Sequence, residues 1–332
     1  MAEGLSRSVG LVEHEDNQPS NTAQPITKSI IDSPSGPLEL LISLPSSSPS
    51  QGAQPLLFIH GANCAASCYK NFLPFFASNG YAAYALSIRG HGGSWRPGWF
   101  RMMFLTTLDH YCDDIGHALG YIRQQHQGEH AKAPVLIGHS LGAGMLQYLL
   151  ASRSSDRNSG LCAAGLVLLT GAPLTGGGKE IMSNWQAVEA PGGYPWPWSP
   201  RTQLETPQQV RAVFFTAETP EAVVEGWLRE SKAPFESARA GLSVLWPFGT
   251  ADAVLGALDG LPNSGRKVLC LSSDADVLVT PDMVTANADA YRKVEGGAVV
   301  TDEILIKGSG HHVMLDNPWE DCARRILDWL KG

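Results

Sequence analysis

The chain has 332 residues, a formal net charge of −8, 43% hydrophobic and 17% charged residues. That composition builds a sizeable apolar core and excludes an intrinsically disordered chain. With no cluster of Lys or Arg, it argues against a nucleic-acid or anionic-membrane surface as the main partner. No stretch approaches the roughly 20 apolar residues that span a bilayer.

Residues 1–25 are polar and lack the basic start and apolar run of a signal peptide, so they read as a mobile extension and the expected location is cytoplasmic. The cysteines Cys64, Cys68, Cys112, Cys162, Cys270 and Cys322 are thinly spread. Without a secretory signal they read as reduced thiols, and their spacings fit no zinc pattern, so no metal is expected.

"ITKSIID" and "PLELLISL", joined by Ser-Pro-Ser-Gly, predict a β-hairpin. The apolar run Pro55 to Gly61 follows as a strand, then a helix from Tyr69 to Asn79 that stops at Gly80. "YAAYALSIRGHGGS" is a further strand with a glycine-rich exit. Leu108, Cys112, Ile115, Leu119 and Ile122 recur at helical spacing between Leu105 and about Gln127. "PVLIGHS" is a strand, "LGAGMLQYLLAS" a helix and "CAAGLVLLTGA" a strand. The second block runs "KVLCLSSDAD", a helix from Pro281 to Val294, "EILIKGSGHH", and the closing amphipathic helix "PWEDCARRILDWL". Alternation of this kind predicts an α/β domain with a mostly parallel sheet, helices on both faces, and antiparallel strands at one edge.

The alternation stops between Leu174 and about Pro262, a stretch that holds five of the nine tryptophans. It is too long for a plain loop. The domain reading is therefore a core of residues 26–173 and 263–332 with a mainly helical cap, 174–262, laid over the C-terminal edge of the sheet. A pocket beneath such a cap would be walled by apolar side chains. The rings in "GGYPWPWSP" and beyond it make Trp196, Trp198 and Trp227 the candidate substrate-binding residues.

"VLIGHSLGAG", Val135 to Gly144, puts Ser140 between Gly138 and Gly142 where a buried strand ends and an apolar helix begins. A tight strand-to-helix turn of that kind thrusts the serine out at the strand's C-terminal end. Serine is a weak nucleophile unless a histidine base and an acid accompany it. "KGSGHHVMLDNPWE" offers His311, with His312 as its rival, in a loop at the same sheet edge. "LSSDADVLVTP" offers Asp274 and Asp276, with Asp252 and Asp259 nearer the cap. The remaining histidines read as turn, tail or helix-surface residues, and His139 as pointing away from Ser140.

The order Ser, Asp, His is that of the α/β-hydrolase fold and differs from both common protease orders. "HGAN", "RGHGGS", "GHSLG", "DADVLVTP" and "GHHVMLDNP" together resemble the α/β-hydrolase superfamily, and in their motifs most the monoacylglycerol lipase and lysophospholipase-like branch. The resemblance implies Ser140, Asp276 and His311 as the catalytic triad, because the family's acid begins a D-x-L-V loop and its histidine directly follows a glycine. It implies the backbone amides of Ala62 and Leu141 as the oxyanion hole, with no cofactor. The expected function is a serine hydrolase that cleaves the carboxylic ester of a hydrophobic small-molecule substrate through an acyl-enzyme. A thioesterase, lactonase or acyltransferase would use the same triad, and a ligand receptor of this fold could keep it with little turnover.

Overall fold

The computed structural model describes residues 24–46, 53–126, 132–153, 163–188, 204–231, 236–294 and 300–332. Its strands are β1 (Thr27–Ile31), β2 (Leu38–Ser43), β3 (Leu56–Ile59), β4 (Ala83–Ser87), β5 (Val135–His139), β6 (Gly165–Leu169), β7 (Arg266–Ser273) and β8 (Val300–Ile306). They form one sheet in the order β1-β2-β4-β3-β5-β6-β7-β8. β1 and β2 form the antiparallel hairpin, β2 runs antiparallel to β4, and all other neighbours are parallel. The central strands β3, β5 and β6 are buried along their whole length, as unbroken apolar runs in a sheet covered on both faces must be.

The helices are α1 (Phe72–Ser78), α2 (Leu108–Gln125), α3 (Leu141–Arg153), α4 (Gly178–Ala187), α5 (Pro207–Phe214), α6 (Glu221–Glu230), α7 (Ala238–Leu242), α8 (Ala251–Gly256), α9 (Pro281–Arg292) and α10 (Trp319–Lys331). The helix expected over Tyr69 to Asn79 is divided into a 3₁₀ turn at Ala66–Tyr69 and α1, and Gly80 ends it at φ +88°. α10 buries Cys322, Ala323, Ile326, Leu327 and Leu330 on one face. Its outer face pairs Glu320 with Arg324 and Asp321 with Arg325 at i,i+4 spacing. Helices α2, α3, α8 and α9 pack side by side, and α1 packs on α10.

α4 to α8 all lie between β6 and β7, where the sequence predicts a cap over 174–262. Within that stretch α8 packs on helices of the core. α8 packs against α3 and α9, and the residue pair Ala163–Leu258 continues the parallel pairing beside β6. Residues 251–258 therefore belong to the helix layer on the sheet, because Val254 and Leu255 bury their side chains there. No helix among the described residues is long and apolar enough to cross a membrane.

The chain runs from β3 outward to β4, then returns to the other side of β3 as β5, so the direction of winding reverses between β3 and β5. Ligands of open α/β sheets bind at such a switch point, outside the carboxyl ends of the strands. The register of β3 on β5 pairs Ile59 with Gly138, which sets Gly61 level with Ser140 just beyond the sheet.

The "RGHG" loop after β4 is anchored by a buried ion pair. Arg89 Nε and Nη2 donate to Asp114 Oδ2 and Oδ1 at 2.9 and 2.7 Å, and the Arg89 amide adds a third bond to Oδ2 at 2.9 Å. Both side chains are within 2% of full burial. Removing one member of such a pair strands the other charge in the core. Asp114→Ala is expected to lower the unfolding free energy by about 3–5 kcal/mol, read from the urea midpoint at unchanged slope.

Candidate active site

Ser140 is the residue between β5 and α3, and its backbone is left-handed, with φ +52°. A non-glycine residue there is strained, and the surrounding contacts hold it in place. A Cβ on Gly138 would lie 2.7 Å from the Ala143 backbone, and one on Gly142 2.5 Å from the Ile59 and His60 carbonyl oxygens. Only glycine permits so close an approach of α3 to β5 and β3. The Ser140 amide donates to Leu169 O at 3.1 Å, while Ser140 O accepts from Ala172 N at 3.1 Å, so neighbouring β6 clamps the turn from both sides. Leu141 opens α3, where the first amides of a helix have no partner within it.

His311 and Asp276 meet beside this turn. His311 Nδ1 lies 2.7 Å from Asp276 Oδ2, and the two side chains are 2% and 0% exposed. Asp276 Oδ1 accepts from the amides of Leu278 and Val279 at 2.8 and 3.0 Å. The carboxylate is thus aimed by its own loop. Asp274 faces outward and receives the Gly308 amide at 2.7 Å. Asp252 sits in the first turn of α8. The His311 carbonyl accepts from Thr170 Oγ1 and from His139 Nε2, each at 3.0 Å.

His312 follows a different path. Its Nε2 lies 3.6 Å from Cys64 Sγ, and its buried Nδ1 has no partner. Burial, with the neighbouring His139 and His311, holds its pKa well below the usual histidine value, so it is neutral. Gly310 is pinned by its amide to Asp316 Oδ2 at 2.8 Å, and the buried Asp316 also accepts from the hydroxyls of Thr216 and Thr219 after α5. The loop that carries both histidines is therefore fixed by a carboxylate six residues downstream.

Ser140, His311, Ala62 and Leu141 line one cavity of about 180 Å³. Its walls come from α4, α7 and α5, through Ile181, Met182, Trp185 and Phe214, with Leu278 and Val279 from the Asp276 loop. Trp227 does not line it. Its indole is 1% exposed and packs behind the cavity wall, 5.2 Å from Phe214 and 5.7 Å from His312 between ring centroids. Trp196 and Trp198 lie outside the described residues. The nearer aromatic residues, Trp185 and Phe214, were discernible only as members of a tryptophan- and phenylalanine-rich stretch.

His139 is buried beside the site. It is among the residues that line the cavity, and its ring lies 4.8 Å from that of His311. Cys64, Cys68 and His312, unrelated by any zinc spacing, come within 4.8 Å of one another in the core. Among the described residues this trio is one ligand short of a closed four-ligand zinc set, and the unpartnered Nδ1 of His312 lacks the acceptor that orients a ligating imidazole.

A family model described as the alpha/beta hydrolase family matches residues 56–325. Among solved structures, the chain is similar to a thermophilic esterase from Thermogutta terrifontis at 18% identity, with 92% of this chain and 98% of that one covered and a TM-score of 0.61. A monoacylglycerol lipase from Paleococcus ferrophilus is 17% identical, over 88% and 98% of the two chains, with a TM-score of 0.56. An esterase from Exiguobacterium antarcticum is 13% identical over 91% and 99%, with a TM-score of 0.57. Likeness at this level concerns the fold.

Proposed function

The chain belongs to the alpha/beta hydrolase family, and from that premise we propose that it is a serine hydrolase that cleaves carboxylic esters through an acyl-enzyme. Ser140 Oγ attacks the ester carbonyl carbon while His311 Nε2 takes its proton. Asp276 holds the His311 Nδ1–H and favours the imidazolium that results. The amides of Leu141 and Ala62 receive the oxyanion. The alkoxide leaves with the proton returned by His311, and water, activated by the same imidazole, releases the acid. Helices α4 to α7 act as the cap over this site.

The observation that carries the reading is the buried 2.7 Å bond from His311 Nδ1 to Asp276, in the wall of the same cavity as a strained elbow serine. A hydrophobic acyl group is favoured because the walls are aliphatic and aromatic. A cavity of about 180 Å³ is small. An apolar cavity of roughly 150 Å³ holds benzene, whereas drug-sized ligands need 300 Å³ or more.

The test is a panel of p-nitrophenyl esters, thioesters and lactones, run alongside labelling by a fluorophosphonate. Labelling at Ser140 and many turnovers of an ester are expected. Across the esters, kcat/KM is expected to rise from acetyl through the short acyl chains and then level off. Each buried methylene is worth about 0.8 kcal/mol, at most a four-fold gain, until the cavity is full. Labelling without turnover of any ester would favour a receptor instead, and preference for thioesters would reassign the substrate.

A further inference from the structure

Glu236 stands just before α7, distant in sequence from every motif around Ser140. Its side chain is only 13% exposed, and both oxygens are fully engaged. Oε2 accepts from the Asn63 amide at 2.9 Å and faces His91 Nε2 at 3.0 Å. Oε1 accepts from Tyr111 Oη at 2.6 Å and the Ser237 amide at 2.9 Å. The donors come from four places: the loop after β3, the loop after β4, α2, and the start of α7.

The hydrogen-bond pattern assigns the charges. His91 Nδ1 lies 2.9 Å from Arg89 O and Nε2 lies against the Glu236 carboxylate, and both of these partners only accept. Each ring nitrogen must therefore carry a proton, so His91 is an imidazolium and Glu236 its counter-ion. Burial pulls the His91 pKa down, but the charge and hydrogen bond of Glu236, the Arg89 carbonyl and Asp114 outweigh it and raise the value. Burial likewise pushes Glu236 up, yet His91, Tyr111 and the Asn63 amide bring it down to about 2. Cys64 also feels the Glu236 charge. His60, whose ring is 4.8 Å from His91, is held neutral by burial and by that charge, at about 3.

Asn63 has φ +57°, a left-handed turn directly after Ala62. A Cβ on Gly61 would come 2.9 Å from Ser140 Cβ, so this loop rides on the nucleophile's own turn. Fixing the Asn63 amide fixes the peptide plane next to the Ala62 N–H.

We infer that Glu236, ionised and paired with His91, is a positioning residue that sets the Ala62 amide for the developing oxyanion. The inference rests on the reading of Ala62 as an oxyanion donor. Glu236→Gln removes the charge opposite His91 and replaces one acceptor oxygen by an NH₂ group, which at the Oε2 position faces the Asn63 amide and at the Oε1 position the Ser237 amide, so in either orientation a backbone amide of the cluster loses its acceptor.

The experiment compares wild type, Glu236→Gln and Ile326→Ala, a core change in α10 that lowers stability far from the site. Glu236→Gln is expected to lower kcat by about 10- to 100-fold with KM within two-fold, since small misplacements of a catalytic group cost that much. Affinity for an alkyl trifluoromethyl ketone, whose serine adduct carries the oxyanion, should fall by the same factor. Wild-type kcat should also fall as pH rises through the elevated His91 value, where the imidazolium loses its proton, and Glu236→Gln should lack this limb because burial alone keeps His91 neutral. Ile326→Ala should lower Tm and leave kcat, KM and ketone affinity unchanged. A folded Glu236→Gln with wild-type kcat and ketone affinity overturns the inference while the hydrolase reading stands. Loss in Glu236→Gln that tracks Tm, as a purely structural role would give, overturns it as well. Wild-type protein that turns over no ester overturns both.

Discussion

Replacing Ser140 by alanine is expected to lower kcat/KM for ester hydrolysis by about 10⁴–10⁶, with the fold intact, because the members of a nucleophilic triad act as a unit. The substitution removes one oxygen from a partly buried position at the cavity wall. Backbone bonds from Leu169 and Ala172 hold the turn irrespective of the side chain. Alanine at φ +52° bears the strain that serine already bears, so Tm should move little. Fluorophosphonate labelling should vanish in parallel. Substantial turnover by this variant would mean that the hydrolysis occurs elsewhere or through water activated without an acyl-enzyme.

Asp276→Asn is expected to reduce kcat by about 10⁴, close to the loss in His311→Ala, by enforcing the wrong histidine tautomer. The physical reason is local. The amides of Leu278 and Val279 both point at Oδ1, so an asparagine must keep its carbonyl oxygen there and turn its NH₂ toward His311 Nδ1. Two donors cannot share that 2.7 Å contact. The imidazole responds by moving its proton to Nε2, the nitrogen that must accept from Ser140. Asp274→Asn keeps an oxygen for the Gly308 amide and should retain near-wild-type turnover. Equal losses in the two asparagine variants would place the acid elsewhere. His312→Ala should cost stability, through the space left beside Cys64, Phe214 and Trp227, with the proton-transfer step intact.

The two aspartates show where reading from residues alone stops. Both leave the end of β7, and spacing alone does not say which turns inward. A resemblance in the loop pattern points to Asp276, and it is Asp276 that meets His311, with two amides on one oxygen and the imidazole at the other. Histidines divide in the same way. His60, His91 and His139 each stand beside a glycine or the elbow, and nothing nearby in sequence reveals that one pairs with a glutamate 145 residues away. The cap aromatic residues were the least legible. The sequence points to Trp227 for the pocket, but Phe214 and His312 are its neighbours, and Trp185 and Phe214 line the cavity in its place.

What the sequence by itself determined was everything carried by local period and local sterics. Unbroken apolar runs became buried parallel strands, 3.6-residue spacing became α2 and α10, and glycines flanking Ser140 became the close approach of α3 to β3 and β5. Such features depend on neighbours within a few residues, so the order of the chain suffices to read them. Only the tertiary structure decided the partners of the buried charges, the seating of α8 in the sheet's helix layer and the size of the cavity. Those depend on where independent segments meet after folding. A carboxylate buried between four segments leaves no period along the chain, and the low-dielectric interior that makes its pairing with His91 compulsory exists only once those segments have closed around it.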